Sequence, residues 1–162
     1  MEKAESMGFK DWFGKQEKLV DFLSLEEQAS VVSAIKNAET KTSGELRIHI
    51  ELRCPKDPLA RAAALFSQLK MDKTDLRSGV LIYCALKDHR FALYGGAGIH
   101  ARLGQIYWQE LAEKVKQEIR SHSLAAGLAL AAETIGGSLS EHFPRAADDH
   151  NELPDDISFR QN

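Results

Sequence analysis

The chain has 162 residues, 43% of them hydrophobic and 28% charged, with a formal net charge of −3. That is the size and composition of one globular domain, able to bury roughly two-thirds of its unfolded surface. It shows no basic patch, which argues against nucleic-acid binding. The charge is local: after Pro144, the acids Asp148, Asp149, Glu152, Asp155 and Asp156 face only Arg145 and Arg160, so the remainder is neutral overall.

Residues 1–22 interleave Lys3, Glu5, Lys10, Asp11, Lys15, Glu17 and Lys18 with apolar positions that include the pair Trp12 and Phe13. They lack the ~7–15-residue apolar core of a secretory signal. No apolar run reaches the ~18 residues that would suggest membrane insertion. The expectation is a cytoplasmic chain in three parts: a leader or short amphipathic helix over 1–22, a domain over 23–144 and an acidic tail over 145–162.

Ser24-Leu25-Glu26-Glu27 is a capping box, because the serine hydroxyl and the third-position glutamate can each satisfy the other's backbone N–H. Leu25, Ala29, Val32 and Ile35 then mark one face of a helix running to about Thr40. From Glu45 to Leu52 the sequence alternates: Leu46, Ile48, Ile50 and Leu52 point one way, Glu45, Arg47, His49 and Glu51 the other. This predicts a half-buried strand with one polar face. Pro58 suits the first turn of a second helix whose stripe is Leu59, Ala62, Phe66 and Leu69. Val80 to Leu86 is apolar without alternation, as expected for a strand covered on both faces. Lys87-Asp88-His89 is short enough to turn the chain into a second strand, Phe91 to Tyr94. Trp108, Leu111, Ala112, Val115 and Ile119 define a third helix, and Leu124, Leu128, Ala132, Ile135 and Leu139 a fourth that ends near Phe143-Pro144. The tail reads as loop, docked through Leu153 and Phe159, with no strand after the glycines. Helices before, between and after the strands need two sheet faces to pack on, so the expected fold is α/β, a three-layer α/β/α sandwich with a small mixed β-sheet.

The cysteines, Cys54 and Cys84, form no CxxC. Cys84 lies in the apolar strand as a small core residue, Cys54 begins a loop, and no disulfide framework is expected. Gly96-Ala97-Gly98-Ile99-His100-Ala101 matches the GxGxxA of a dinucleotide-binding turn, but that turn belongs to a βαβ unit with an acidic residue ~20 positions later. Here it follows a hairpin strand, so no nucleotide cofactor is expected and the glycines read as a tight connection past neighbouring backbone. A looser reading makes Gly95, Gly96 and Gly98 an anion-binding loop at a helix start. The loops 53–57 and 71–77 would rim the same crevice with Asp57, Asp72, Thr74 and Asp75. The six histidines include no HxH or HExxH pattern, so a zinc site is not expected. His49 and Glu45 share a strand face but lie ~13 Å apart. His100, beside the glycines, is the candidate catalytic residue. No GxSxG elbow supplies a nucleophile.

Several segments together carry a family resemblance: Thr42-Ser43-Gly44-Glu45-Leu46-Arg47-Ile48-His49, Leu69-Lys70-Met71, Ser78-Gly79-Val80-Leu81-Ile82-Tyr83, the Tyr94-Gly95 to Gly98-Ile99-His100 loop, and Tyr107-Trp108. In this order they resemble the TPM domain family, named for a thylakoid lumen protein, a photosystem II repair protein and a receptor-modulating membrane protein. Glu141-His142-Phe143-Pro144 and Asn151-Glu152-Leu153-Pro154 resemble its soluble bacterial branch. The resemblance implies an α/β/α sandwich, acid phosphatase activity, and Ca²⁺ or Mg²⁺ binding by acidic loops. Where it implies an Asp, this chain has Gly96; where it implies Pro-Asp-Asp, this chain has Gly104-Gln105-Ile106. A hard cation needs several oxygen ligands, so these replacements weaken or remove the site. The leading expectation is a non-catalytic interaction or maintenance module with residual divalent-cation binding, contacting a protein partner through the N-terminal segment or the acidic tail. The alternative is a metal-assisted acid phosphatase acting on phosphomonoesters.

Overall fold

The computed structural model describes residues 17–73, 76–146 and 157–162. Ser24 caps helix α1 (Leu25–Glu39) as its capping box requires: its hydroxyl accepts from the Glu27 N–H at 3.1 Å, and the Glu27 carboxylate accepts from the Ser24 N–H at 3.0 Å. Strand β1 (Glu45–Glu51) follows, then α2 (Pro58–Gln68), a 3₁₀ turn at Met71–Lys73, β2 (Gly79–Ala85), β3 (Arg90–Gly95), α3 (Ala97–Ser121), α4 (Leu124–His142) and β4 (Ile157–Arg160). The strands form one mixed sheet in the order β3-β2-β1-β4. β1 pairs in parallel with β2 and with β4, while β2 and β3 form the predicted antiparallel hairpin, with His89 in the left-handed region at φ 51°.

The sheet separates two apolar cores. On one face Leu46, Ile48, Ile50, Val80, Ile82 and Leu93 pack with residues of α1, α3 and α4. On the other, Leu81, Tyr83, Ala85 and Ala92 pack with Ala62, Leu65 and Phe66 of α2 and with Met71. The α/β sandwich expected from periodicity is present.

Three local expectations are corrected. β1 is not half-exposed: Glu45, His49 and Glu51 are buried as well as the aliphatic residues. The tail contributes a strand, because Ile157, Ser158, Phe159 and Arg160 pair with Ile48, His49, Ile50 and Glu51. Leu153 lies outside the described residues. The buried stripe of α1 is Val31, Ile35 and Ala38, at i, i+4 and i+7, while Leu25 is 72% exposed. Helix α3 starts at Ala97, at the glycine loop as expected, and is broken at Gly104, whose φ of 80° and ψ of 165° suit only glycine, so that two helical segments meet there at a kink.

Candidate functional site

Strand order decides where the predicted loops lie. β1 and β2 run parallel, so the 53–57 loop leaves the end of the sheet opposite to that where residues 76–78 enter it. The shared crevice is therefore not formed. Asp57 is the N-cap of α2, its carboxylate accepting from the Ala60 N–H at 2.9 Å. Asp72 is exposed in the 3₁₀ turn, and Thr74 and Asp75 lie outside the described residues.

The glycine loop is stitched to the strand-entry segment. The Gly96 N–H donates to the Gly79 carbonyl at 2.8 Å and the Gly98 N–H to the Arg77 carbonyl at 2.9 Å. A Cβ on Gly96 would lie 2.6 Å from the Arg77 oxygen, and one on Gly98 2.4 Å from the Leu76 oxygen. Both distances are impossible contacts, so these glycines permit backbone to pass backbone, which is the connection read from the sequence. Two of the loop's N–H groups are thereby committed to protein carbonyls.

Beside this loop, His100 is exposed on the first turn of α3 and lines a groove of about 450 Å³ along β3. The groove runs between the start of α2, which contributes Leu59, and the first half of α3, which contributes Gln105 and Trp108. Its floor is β3 itself, an edge strand. The Gly96–Gly79 bond fixes the hydrogen-bonded phase of the hairpin, so residues 90, 92 and 94 face β2. Phe91, Leu93 and Gly95 then turn their N–H and C=O groups outward. Trp108 is buried, and its indole N–H has no partner among the described residues. Gln105 and Ile106 are exposed just after the Gly104 kink, Ile106 at 70%.

A second polar constellation, not anticipated as a unit, sits on the α2 face of β1. The fully buried Glu51 carboxylate accepts from Arg61 Nε at 3.0 Å, from Arg61 Nη2, and from the Tyr83 hydroxyl at 2.7 Å. His49 Nε2 lies 3.3 Å from the same carboxylate, and its Nδ1 lies 2.6 Å from the Ser158 hydroxyl. Burial would push Glu51 up, but the Arg61 and Tyr83 hydrogen bonds outweigh it and hold the carboxyl below its ordinary range. Burial pulls His49 down despite Glu51 beside it, and burial pushes the Tyr83 phenol up. A serine, an imidazole and a carboxylate thus stand in line, yet His49 is 5% exposed and Glu51 fully enclosed. The signal for this cluster was an arginine at position 61, beside the apolar stripe of α2 and across from three polar residues of β1.

Among the described residues no helix is long and apolar enough to cross a membrane, and no three His, Cys, Asp or Glu side chains converge as metal ligands. The molecule is thus a small α/β/α sandwich with a mixed sheet edged by β3 and β4 and a glycine-tight strand-to-helix junction. A TPM domain profile matches residues 18–138, and the chain belongs to the TPM domain family. It is similar to the BA42 protein of the psychrophilic bacterium Bizionia argentinensis, at 38% identity and a TM-score of 0.81 over 88% of this chain and 99% of that one. The N-terminal domain of a P. gingivalis protein shares the fold at 16% identity, with a TM-score of 0.64 over 79% of this chain and 85% of that one. Comparison with curated proteins gives no match.

Proposed function

We propose that this chain is a non-catalytic interaction module of the cytoplasm that receives an extended peptide along β3. The observation that carries this reading is the outer edge of that strand. Three residues whose backbone turns away from β2 and has no partner among the described residues, Phe91, Leu93 and Gly95, lie at the floor of an apolar groove between two helices. An unpaired edge is a template for another strand, and strand addition takes affinity from main-chain hydrogen bonds and specificity from side-chain pockets. Phe91 and Leu93 are 6% and 5% exposed, so an incoming strand meets an edge sunk between the two helices. Leu59, 49% exposed, supplies an apolar wall. Residues 1–16 with Trp12 and Phe13, and the acidic run 147–156, lie outside the described residues and remain proposed as further contact elements.

The residues at the glycine loop do not fit a divalent cation well. Ca²⁺ takes ~6–8 oxygens, whereas the described residues there offer Asp72 and the Gln105 amide, with Gly96 and Ile106 bearing no side-chain oxygen. Residual Ca²⁺ or Mg²⁺ binding would therefore be weak. The phosphatase alternative would use His100 as acid or base, and the engagement of the Gly96 and Gly98 N–H groups leaves it a poor phosphate cradle.

Selection from a random peptide library on the immobilised chain, followed by an amide NMR titration with the selected peptide, tests the proposal. The expected shifts centre on Phe91, Leu93 and Gly95 and are lost in Leu59→Asp. Shifts centred elsewhere would overturn it. So would phosphomonoester turnover, with or without Mg²⁺, Ca²⁺ or Mn²⁺, that His100→Ala reduces.

A further inference from the structure

At the hairpin end of the sheet, with none of the glycine-loop residues in its lining, lies a second cavity of about 380 Å³. Its interior is apolar: Cys84 and Phe91 from the hairpin, Ile119 from α3, Leu124 from α4 and Phe22 from the turn before α1. Burial holds the Cys84 thiol neutral, pushed up to about 12, so no negative charge stands at the deep end. The rim is cationic: Arg90, Lys116 and Arg120 all line it.

The composition of the rim is the informative part. Lys116 and Arg120 are four residues apart on α3, an arrangement in which like charges oppose each other across one helical turn. Arg120 lies in the last turn of α3, where the helix dipole favours a cation. That accounts for one charge and not for three converging on one opening. Lys116 has an exposed neighbour, Glu113, at 3.2 Å, a pairing that solvent screens. Neither Arg90 nor Arg120 has an ion pair among the described residues. Two guanidinium forks at the mouth of an apolar cavity are the complement of a carboxylate that carries a hydrocarbon tail, because a guanidinium binds a carboxylate through two parallel hydrogen bonds. The volume lies at the small end of the ~300–1,000 Å³ range of ligand cavities, suited to a single slender chain.

We propose that this cavity binds a medium-chain fatty acid, its tail against Cys84 and Phe91 and its carboxylate between Arg90 and Arg120. The site adjoins the β3 groove, with which it shares Phe91, and does not depend on the peptide-binding reading. Charge complementarity selects a free fatty acid over an alcohol or an alkane of equal length.

Decanoate, titrated below its micelle concentration into the full chain and followed by amide NMR, tests this directly. Saturable shifts are expected at Cys84, Ile119 and Leu124, which do not line the β3 groove, weakened about tenfold by Arg120→Gln and further by Arg90→Gln with Arg120→Gln, as loss of charge-assisted hydrogen bonds implies. Both arginines are exposed, so the variants are expected to keep the wild-type spectrum elsewhere. Decanol is expected to bind at least tenfold more weakly than decanoate. The proposal is overturned if decanol matches decanoate, if the arginine variants bind as wild type does, if shifts fail to saturate, or if they centre on the β3 groove instead.

Discussion

The two faces of the sheet are held by different chemistry. Toward α1, α3 and α4 the contacts are aliphatic, with Ile48, Ile50, Val80 and Ile82 fully buried among helix residues of the same kind. Toward α2 the same strand, β1, buries a carboxylate, an imidazole and their partners from three other elements. An apolar face tolerates loss of a methylene in proportion to the cavity left behind. A buried ionic cluster is stable only while every member is present, because removing one strands the others without water. The α2 face is therefore the brittle side of the molecule.

The largest break in that comparison is Glu51→Ala. It leaves the Arg61 guanidinium, the Tyr83 hydroxyl and His49 without their common acceptor, at an expected cost of ~3–5 kcal/mol. By contrast Ile48→Val, on the aliphatic face of the same strand, should cost ~0.5–1.5 kcal/mol. Urea denaturation of both variants checks the pair. A Glu51→Ala loss no larger than that of Ile48→Val would mean the cluster is not held as a unit. Replacing Glu51 and Arg61 together by methionine should recover most of the loss, since apolar packing can substitute for a buried ion pair.

Next in size is Gly98→Ala, at the junction where β3 passes into α3. A Cβ there meets the Leu76 carbonyl at 2.4 Å, and backbone, unlike a flexible side chain, cannot step aside. Overpacking of this kind costs ~1–3 kcal/mol. The same urea series measures it, with an unchanged midpoint as the contrary result.

Acid should act on the α2 face first. His49 has a folded pKa below its ordinary 6.5, so the unfolded chain binds the proton more readily. Stability contributed by neutral His49 is thus complete above pH 6.5 and is lost as pH falls through the folded value. Glu51, also depressed below its ordinary 4.5, adds a second loss of the same sign that begins near that pH. The urea midpoint should therefore decline from pH 7 toward pH 4, and His49→Gln should flatten the upper part of the decline while leaving the lower part. A midpoint that stays level between pH 7 and pH 5 in the wild type would remove His49 from the account.

Which parts of this were legible beforehand follows from the range of the interactions involved. The α1 capping box, the Lys87-Asp88-His89 turn and the two C-terminal apolar stripes are local and legible, whereas the buried face of α1, where apolar residues occupy more than one face, is settled only by its packing on α4 and the sheet. The alternation in β1 was read correctly as a strand and wrongly as half-exposed, because the counter-charge that buries Glu51 comes from Arg61, ten residues on. β4 was missed because four residues in an acidic tail acquire a strand partner more than a hundred residues away, a pairing no local pattern records. For the same reason the glycine loop was recognised as a close backbone approach, while the groove beside it was not. Whether β3 is an edge depends on strand order, and that order is set by the β1–β2 and β1–β4 pairings.

The smallest effect has the opposite sign and isolates backbone from packing. Gly137 lies within α4 and is exposed, and a Cβ there would meet nothing within 4 Å. Its φ and ψ are helical, so alanine fits without strain and restricts the unfolded chain more than glycine does. Gly137→Ala should therefore stabilise by ~0.5–1 kcal/mol, the helix-propensity difference between the two residues. Because it touches neither core, the gain should add independently to Glu51→Ala and to Ile48→Val. Additivity with Ile48→Val but not with Glu51→Ala would show that losing the ionic cluster reaches across the sheet into the helical layer, and the two faces would then have to be treated as one cooperative unit.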